Sequence, residues 1–548
     1  MEQARVFIAI ALSFLVFFVW EMFFVDKEAM KPAPQSSPVV EETQTAQTPN
    51  LDEKTPAPAS VLTPAPPSIN SRQIVVNTPH YAVTLDERGA MVRHFRLTQY
   101  RESTDENSPL MDVVKSVADE GTLTLVFDGS GMDAAALTGA VFQAQTDKNA
   151  ITVTTPMTLP FVWVSPSGVV VEKRFHFDPD QYFLGLQVVV TNQSDAPVDG
   201  RMGLAINTRK PEKTTYGFQG PCLLIGGNFE TIEYKKIADN AMRDGDIGWI
   251  ALQDQYFMSA VIPENGQNSQ MRLSTTEDGL ATSQFFHPRE TISSGQSATF
   301  NHHIFFGPKS TEVLGGVGDS LERAVHFGMF DVIAKPCLSL MRFFYSVIPN
   351  YGLAIIVLTI LIKIVLWPLG NKSYKSMSQM KRMQPLMAEI REKHKNDKKK
   401  MNEELMNLYR VYKINPMGGC LPMILQIPVF FALYRMLYEA IELRHAPFFG
   451  WITDLSAPDR LFNFGFSIPF MEPPYGIPVL TLVMGGTMFL QQKMSPPPGD
   501  PTQAKMMMFM PIVFTFIFIN FSSGLVLYWL VNNVLSIAQQ YHVQKKYA

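Results

Sequence analysis

The run LTILIKIVLWPL, Leu358 to Leu369, sets a single ammonium group, Lys363, in an otherwise uncharged stretch. A lysine at the centre of a membrane helix costs roughly 2.5–3.5 kcal/mol on insertion scales. Other hydrogen-bonding side chains interrupt the later apolar runs: Gln426, Thr515, Asn532 and Asn533, with Gln491 and Gln492 near the end of another run. Thr359 lies one helical turn from Lys363 on the same face. Amides, hydroxyls and one cation can attract a carboxylate and replace water around a polar chain. That is the chemistry of binding and passage, not of bond cleavage. No G-x-x-x-x-G-K-[ST] loop is present for a nucleotide. Cys222, Cys337 and Cys420 are scattered and odd in number, which suits neither a disulfide framework nor a zinc site. No catalytic residue, metal or cofactor is expected.

These side chains need membrane helices to hold them. Apolar runs at about 351–369, 417–441, 476–493, 507–521 and 524–541 each approach the ~20 residues that cross a bilayer. The last two are joined by Ser522-Ser523 alone. A sixth run, Arg5 to Val25, is followed by Asp26-Lys27-Glu28 and not by a small-residue cleavage site, so segment 1–25 reads as an uncleaved signal anchor. Segment 26–71 is rich in Pro, Ser, Thr and Ala and reads as a linker. Segment 72–308 switches to period two, as in VVVEKRFHF and YFLGLQVVV, with Gly, Asn, Asp and Pro between the runs. It predicts a large antiparallel β-sandwich. Segment 309–350 reads as helical, with Lys335 and Arg342 set among apolar residues in a helix suited to a membrane interface.

The loop 371–416 is strongly basic, carrying Lys381, Arg382, Arg391, Lys398, Lys399 and Lys400 among others. The positive-inside rule places it in the cytoplasm, which puts the β domain outside and the tail 542–548 inside. The loop reads as two helices around a turn at Lys395 to Lys400, with Met377, Met380, Met387 and Ile390 on one and Met401, Leu405, Leu408 and Tyr412 on the other. Pro385 is expected to kink the first. A basic hairpin suits acidic partners such as ribosomal RNA or lipid head groups. Overall the chain is mildly acidic, with a formal net charge of −4, and carries no DNA-binding footprint.

Helix rise gives depths. Lys363 lies roughly 9 Å from the cytoplasmic end of its span, Gln426 about 13 Å, and Thr515 and Asn532 about 12 Å. The polar groups thus gather in the inner half of the bilayer, while the outer half is apolar and aromatic, Tyr528 and Trp529 included. This distribution predicts a wet groove open to the cytoplasm and closed outside. The competing reading of Lys363 is snorkelling, its stem reaching about 6 Å toward the inner surface. Arg435 and Glu439, one turn apart near an outer helix end, read as a structural pair.

NPMGGCLPMILQIPVFFALYRML, Asn415 to Leu437, resembles the signature span of the YidC/Oxa/Alb family of membrane protein insertases. IKIVLWPLGNKSYKSMSQMKRMQP, APFFGWITDLSAPD and MMMFMPIVFTFIFINFSSGLVLYWLVNNVLSIAQQ match in the same order, so the resemblance covers 350–541. The anchor and large exported domain resemble the Gram-negative form. The resemblance implies an α+β membrane protein with six transmembrane helices, a five-helix insertase core (351–541) plus the anchor. It also implies a periplasmic β-supersandwich similar to folds of sugar-processing enzymes, and a cytoplasmic helical hairpin. It implies a non-enzymatic insertase and chaperone of the bacterial inner membrane, working without nucleotide, alone or with the Sec translocon. Its partners would be nascent membrane proteins, membrane lipids, and the ribosome and targeting factors at the hairpin. The substrate groove would contain Lys363, Thr359, Gln426, Thr515, Tyr528, Trp529, Asn532 and Asn533. The family's groove cation is usually arginine; lysine keeps the charge without the bidentate fork. The rival reading is a solute or ion transporter, which would favour several intramembrane ionisable residues and repeated halves. An enzymatic role for the exported domain would draw on Asp86, Glu87, His176, Asp178 and Asp180, whose spacing forms no catalytic signature.

Overall fold

The computed structural model describes residues 71–547 apart from 115–120, 212–216, 278, 396, 413–420 and 496–500. The expected anchor 1–25, and the linker up to residue 70, lie outside the described residues.

Period-two burial builds the β domain. Strand Phe183–Asn192 buries every second residue, and Val169–Phe177 does the same through Val169, Val171, Phe175 and Phe177. These two are central in a nine-stranded sheet that runs from Asn228–Thr231 at one edge to Gln143–Ala144 at the other. A six-stranded sheet contains Val198–Arg209 and Leu280–Phe286, and a five-stranded sheet contains Tyr81–Asp86 and Met91–Arg101. Phe95 meets Phe306 at 5.0 Å and Phe161 meets Phe175 at 5.6 Å between ring centroids, inside one continuous core. Among the described residues the ladders are antiparallel except that Gln73–Asn77 pairs in parallel with Ala150–Thr152. That pair joins strands far apart in sequence, which no local hairpin signal marks.

Polar side chains are buried in this domain too, Lys173 and the His287–His302 pair among them. The strict alternation of Val169–Phe177 turns Lys173 inward, where it is fully buried. Its ammonium donates to the carbonyls of Ala90 (2.6 Å), Leu123 (2.8 Å) and Gly89 (3.4 Å), which pins two loops to the sheet. His287 and His302 face each other with Nε2 atoms 2.8 Å apart, walled by Phe285 and Phe300. Of the acidic and histidine residues weighed for an enzymatic site, Asp86 pairs with Arg93 at 2.8 Å and His176 bonds Thr158 at 2.7 Å.

The helices follow. Helix α1, Ala134–Thr138, is a short element capped by the Asp133 carboxylate. Helix α2, Thr311–Val317, and α3, Asp331–Val347, occupy the expected helical segment, separated by short 3-10 turns. Both cations expected among the apolar residues of α3 are paired there: Lys335 with Asp331 at 3.1 Å, and Arg342 with Glu312 of α2. Ala334, Cys337, Leu338 and Met341 face inward, while Val332, Phe343 and Val347 stay exposed.

Helix α4, Tyr351–Arg382, starts at an Asn350 cap and continues past Leu369 into the basic segment. Helix α5, Gln384–Lys393, carries Pro385 in its first turn, where a missing N–H costs nothing. Pro385 therefore opens a second helix and does not kink the first. Helix α6, Lys398–Val411, is capped by Asp397, so it starts within the expected turn of Lys395 to Lys400. Four further helices follow among the described residues: α7 Leu421–Glu439, α8 Val479–Met494, α9 Pro501–Phe518 and α10 Ser523–Tyr547. The α9–α10 link is 519–522, longer than Ser522-Ser523, because α9 ends at Phe518.

Among the described residues, α4 is the helix long and apolar enough to cross a membrane by itself, and Lys505–Phe518 is a shorter apolar helix. Helix α8 has only 16 residues, and α10 carries Asn532, Asn533, Ser536, Gln539 and Gln540, which lower its hydropathy. The β domain rests on the end of α7. Gln255 Nε2 donates to the Tyr438 carbonyl at 2.8 Å, and the Arg444 guanidinium lies over the Phe257 ring at 5.3 Å.

Burial holds the His287 imidazole down to about 4 from its usual 6.5, and burial beside His287 holds His302 well below 6.5 as well. The unfolded chain then binds these protons first, so stability is unaffected above about pH 6.5 and falls as pH drops toward about 4. The thermal unfolding midpoint of the full chain in detergent should fall across that window, and fall less in a His287→Phe/His302→Leu variant. Equal falls in the two proteins would exclude the pair as a source of acid sensitivity.

Candidate functional site

Helices α4 and α10 run parallel and are joined by side chains from both. Gln539 of α10 donates to the Trp367 carbonyl and to Asn371 Oδ1, each at 3.0 Å. It also crowds Gly370, where a Cβ would stand 2.7 Å from Gln539 Nε2. Ser536, one turn earlier on α10, is therefore level with residues 366–367 of α4. Lys363 leans about one turn toward the C-terminal end of its helix and donates to Ser536 Oγ at 2.6 Å. Its stem takes the direction that snorkelling would give it, but the ammonium ends on a protein hydroxyl.

Ser536 is buried and donates in turn to the Asn532 carbonyl at 2.7 Å. The Tyr374 hydroxyl lies within reach of both Ser536 and Gln491, which brings in α8. Asn533 donates to Thr487 Oγ1 on α8 at 3.3 Å, and Gln544 donates to the Met494 carbonyl at 3.0 Å. A polar strip along α10 thus faces α4 and α8. Gln540 is 1% exposed and neither its Nε2 nor its Oε1 has a partner among the described residues.

The expected site residues divide around this strip. Lys363, Asn532 and Asn533 belong to it. Gln426 of α7 reaches the buried Tyr528 hydroxyl. Trp529 belongs to an aromatic cluster, with its ring 4.7 Å from Phe430, 5.0 Å from Phe518 and 6.3 Å from Phe514. Tyr434 and Phe521 extend the cluster toward the start of α10.

The two threonines satisfy themselves. Thr359 is buried and donates to Ile355 O at 2.7 Å, one turn back on its own helix. Thr515 does the same with Pro511 O at 2.7 Å, and its side chain fills the space left by Gly485 of α8. Back-bonding of this kind is the usual resource of a hydroxyl inside a helix.

Sequence reasoning did not single out Ser536, Tyr374 or Gln539. The signal that reaches them is the spacing of Asn532, Ser536, Gln539 and Gln540, which share one helical face. Arg435 and Glu439 do pair, at 3.1 Å.

The basic hairpin has its own small core of Met383, Met387 and Leu405, with Ile390, Met401, Leu408 and Tyr409 packed on it. Lys381 and Arg382 lie on exposed ground at the end of α4, and Lys399 and Lys400 are exposed at the start of α6. Arg391 is half-buried, and Lys398 is the first residue of α6. Three consecutive lysines at a helix N-terminus oppose the helix dipole, a cost the Asp397 cap offsets only in part.

Family comparison then decides between the readings. A model described as the 60Kd inner membrane protein matches residues 343–548, and one for the YidC periplasmic domain matches 73–340. A membrane protein insertase YidC from Syntrophus aciditrophicus is 38% identical over 559 residues, 99% of each chain. The chain belongs to the YidC family of membrane protein insertases. A YidC relative from Nitratidesulfovibrio vulgaris is 40% identical over 561 residues, all of both chains. A crystal structure of an active YidC insertase with its first transmembrane domain resolved is 18% identical, covering 86% of this chain and 92% of that one at a TM-score of 0.37.

The α8–α9 contact offers a direct check of the packing. A Cβ on Gly485 would lie 2.2 Å from Thr515 Oγ1 and 3.3 Å from Thr515 Cβ and Cγ2. Gly485→Leu should destabilise the protein by about 1–3 kcal/mol through overpacking. Thr515→Ala in the same chain should recover part of the loss, as read by thermal unfolding in detergent. Additive effects of the two changes would refute the contact.

Proposed function

We propose that this chain inserts hydrophobic segments of nascent membrane proteins into the bacterial inner membrane, through a wet groove open to the cytoplasm and without nucleotide hydrolysis. Six spans carry it: the anchor at 1–25 and helices α4, α7, α8, α9 and α10. Short spans such as α8 fit where the local bilayer thins. The amino terminus, the basic hairpin and the tail face the cytoplasm, and the β domain faces the periplasm. The exposed apolar side of α3 lies in the outer interface.

The observation that carries this reading is the contrast along α10. Its first turns pack in aromatic rings around Trp529, and its later turns present amides and hydroxyls to Lys363, Tyr374 and Thr487. A closed outer end and a polar inner end shorten the apolar barrier that a short polar tail must cross. Lys363 attracts an acidic tail, while Gln426, Asn532 and Asn533 replace water around it. The apolar segment leaves sideways into lipid, driven by burial of its surface. The membrane potential, worth about 2.3 kcal/mol per charge per 100 mV, helps a negative tail outward. Thr359 and Thr515 frame the groove by packing. The hairpin cations dock the ribosome and targeting factors, and the chain works alone or beside the Sec translocon.

Reconstituted with a single-span substrate, Lys363→Glu should lower insertion of an acidic-tailed segment by at least about tenfold, with a smaller effect on the same segment carrying a neutral tail. Equal losses for both tails would show a structural lysine and defeat the groove reading.

A further inference from the structure

The proton count at Ser536 is the starting point. Its hydroxyl has one hydrogen, and that hydrogen is committed to the Asn532 carbonyl at 2.7 Å. Its oxygen therefore only accepts in the remaining directions, and it accepts from the Lys363 ammonium at 2.6 Å. The Tyr374 hydroxyl is also within reach of Ser536, and of Gln491. Ser536 is 3% exposed, so protein atoms pack closely round its oxygen. No carboxylate is paired with Lys363 among the described residues, and its neighbours Ile364 and Val365 point outward at 64% and 69% exposure.

We infer that Ser536 is a positioning residue that latches the Lys363 ammonium to α10, so that a substrate carboxylate engages the lysine by displacing a neutral hydroxyl. The inference rests on the groove reading above and adds to it the residue that sets charge selectivity. A carboxylate accepts from an ammonium more strongly than a hydroxyl does, so an acidic tail wins the exchange. A neutral amide or carbonyl gains little over Ser536 and leaves the lysine latched. When the acidic tail departs, Ser536 is in place to receive the cation again, which avoids a bare ammonium among apolar side chains. The Asn532 carbonyl, by taking the hydroxyl hydrogen, holds the oxygen in its accepting orientation. Lysine suits such an exchange, because its three donors turn freely about a single point charge.

The test uses the full chain in proteoliposomes and a single-span segment whose tail carries either aspartates or asparagines in the same places. The readout is the ratio of initial insertion rates, acidic over neutral, with thermal unfolding measured alongside. Ser536→Ala should raise that ratio about three- to tenfold, because a hydrogen bond to a charged group no longer opposes capture. Ser536→Thr, which restores the hydroxyl, should bring the ratio back. Tyr374→Phe should move it less than Ser536→Ala.

An unchanged ratio in Ser536→Ala with a normal unfolding midpoint would overturn the latch. Equal loss for both tails, restored by threonine, would also overturn it and leave Ser536 a packing residue. Lys363→Gln separates the two levels of the account. If it abolishes the acidic preference while Ser536→Ala leaves that preference untouched, only the latch fails. If Lys363→Gln keeps the preference, the groove reading itself fails.

Discussion

An ammonium among apolar helices must have an acceptor, and the rest of the helical core is arranged around meeting that demand. Lys363 finds its acceptor on Ser536 of α10. For that bond to exist, α4 and α10 must run side by side in a fixed register, which Gln539 sets through Trp367 and Asn371. Gly370 allows the approach, since any side chain there would strike Gln539. Asn533 and Gln544 then tie α10 to α8 through Thr487 and Met494. Each of these bonds satisfies a polar group that close helix packing would otherwise leave unpaired. The strip is polar enough to disqualify α10 as an ordinary apolar span, and its side chains hold the helix against its neighbours.

The two ends of α10 divide the work. Toward its start, Phe430, Phe514, Phe518, Phe521 and Trp529 pack ring against ring, leaving Tyr528 to Gln426. Toward its end, amides and hydroxyls take over. Buried Lys173 solves the same problem differently in the β domain, where three backbone carbonyls surround a cation. There the acceptors are part of the main chain and fixed. At Lys363 the acceptor is one side chain, so it can be exchanged.

The sequence displayed some of this plainly and hid the rest for physical reasons. Lys363 and Gln426 stand out because charge and amide are rare in apolar runs. The strands are visible in period two, and the hairpin core in the spacing of Met387, Ile390, Met401, Leu405 and Leu408. Ser536 is hard to see because serine is small and common, and its role depends on which helix lies opposite. Depth alone marks Thr359 and Thr515 as groove donors, yet a threonine hydroxyl can spend its hydrogen on the carbonyl one turn back. The alternation of VVVEKRFHF turns Lys173 inward, but its carbonyl acceptors and the His287–His302 contact stay invisible until the strands are stacked. Pro385 suggests a kink from the sequence alone, because its position between two helices depends on where α4 ends.

The central claim is that the strip around Lys363 and Asn532 is wet from the cytoplasmic side and closed from the other. Single cysteines at Asn532 and at Trp529, in a chain whose own Cys222, Cys337 and Cys420 are replaced by serine, can be labelled with a membrane-impermeant maleimide. Labelling would be compared in inside-out vesicles and in right-side-out vesicles. The account predicts rapid labelling of the 532 position from the cytoplasmic face, little from the outer face, and slow labelling of the 529 position from either. Labelling of the 532 position equally from both faces would describe a channel, and labelling from neither would describe a dry structural core; either result would contradict it.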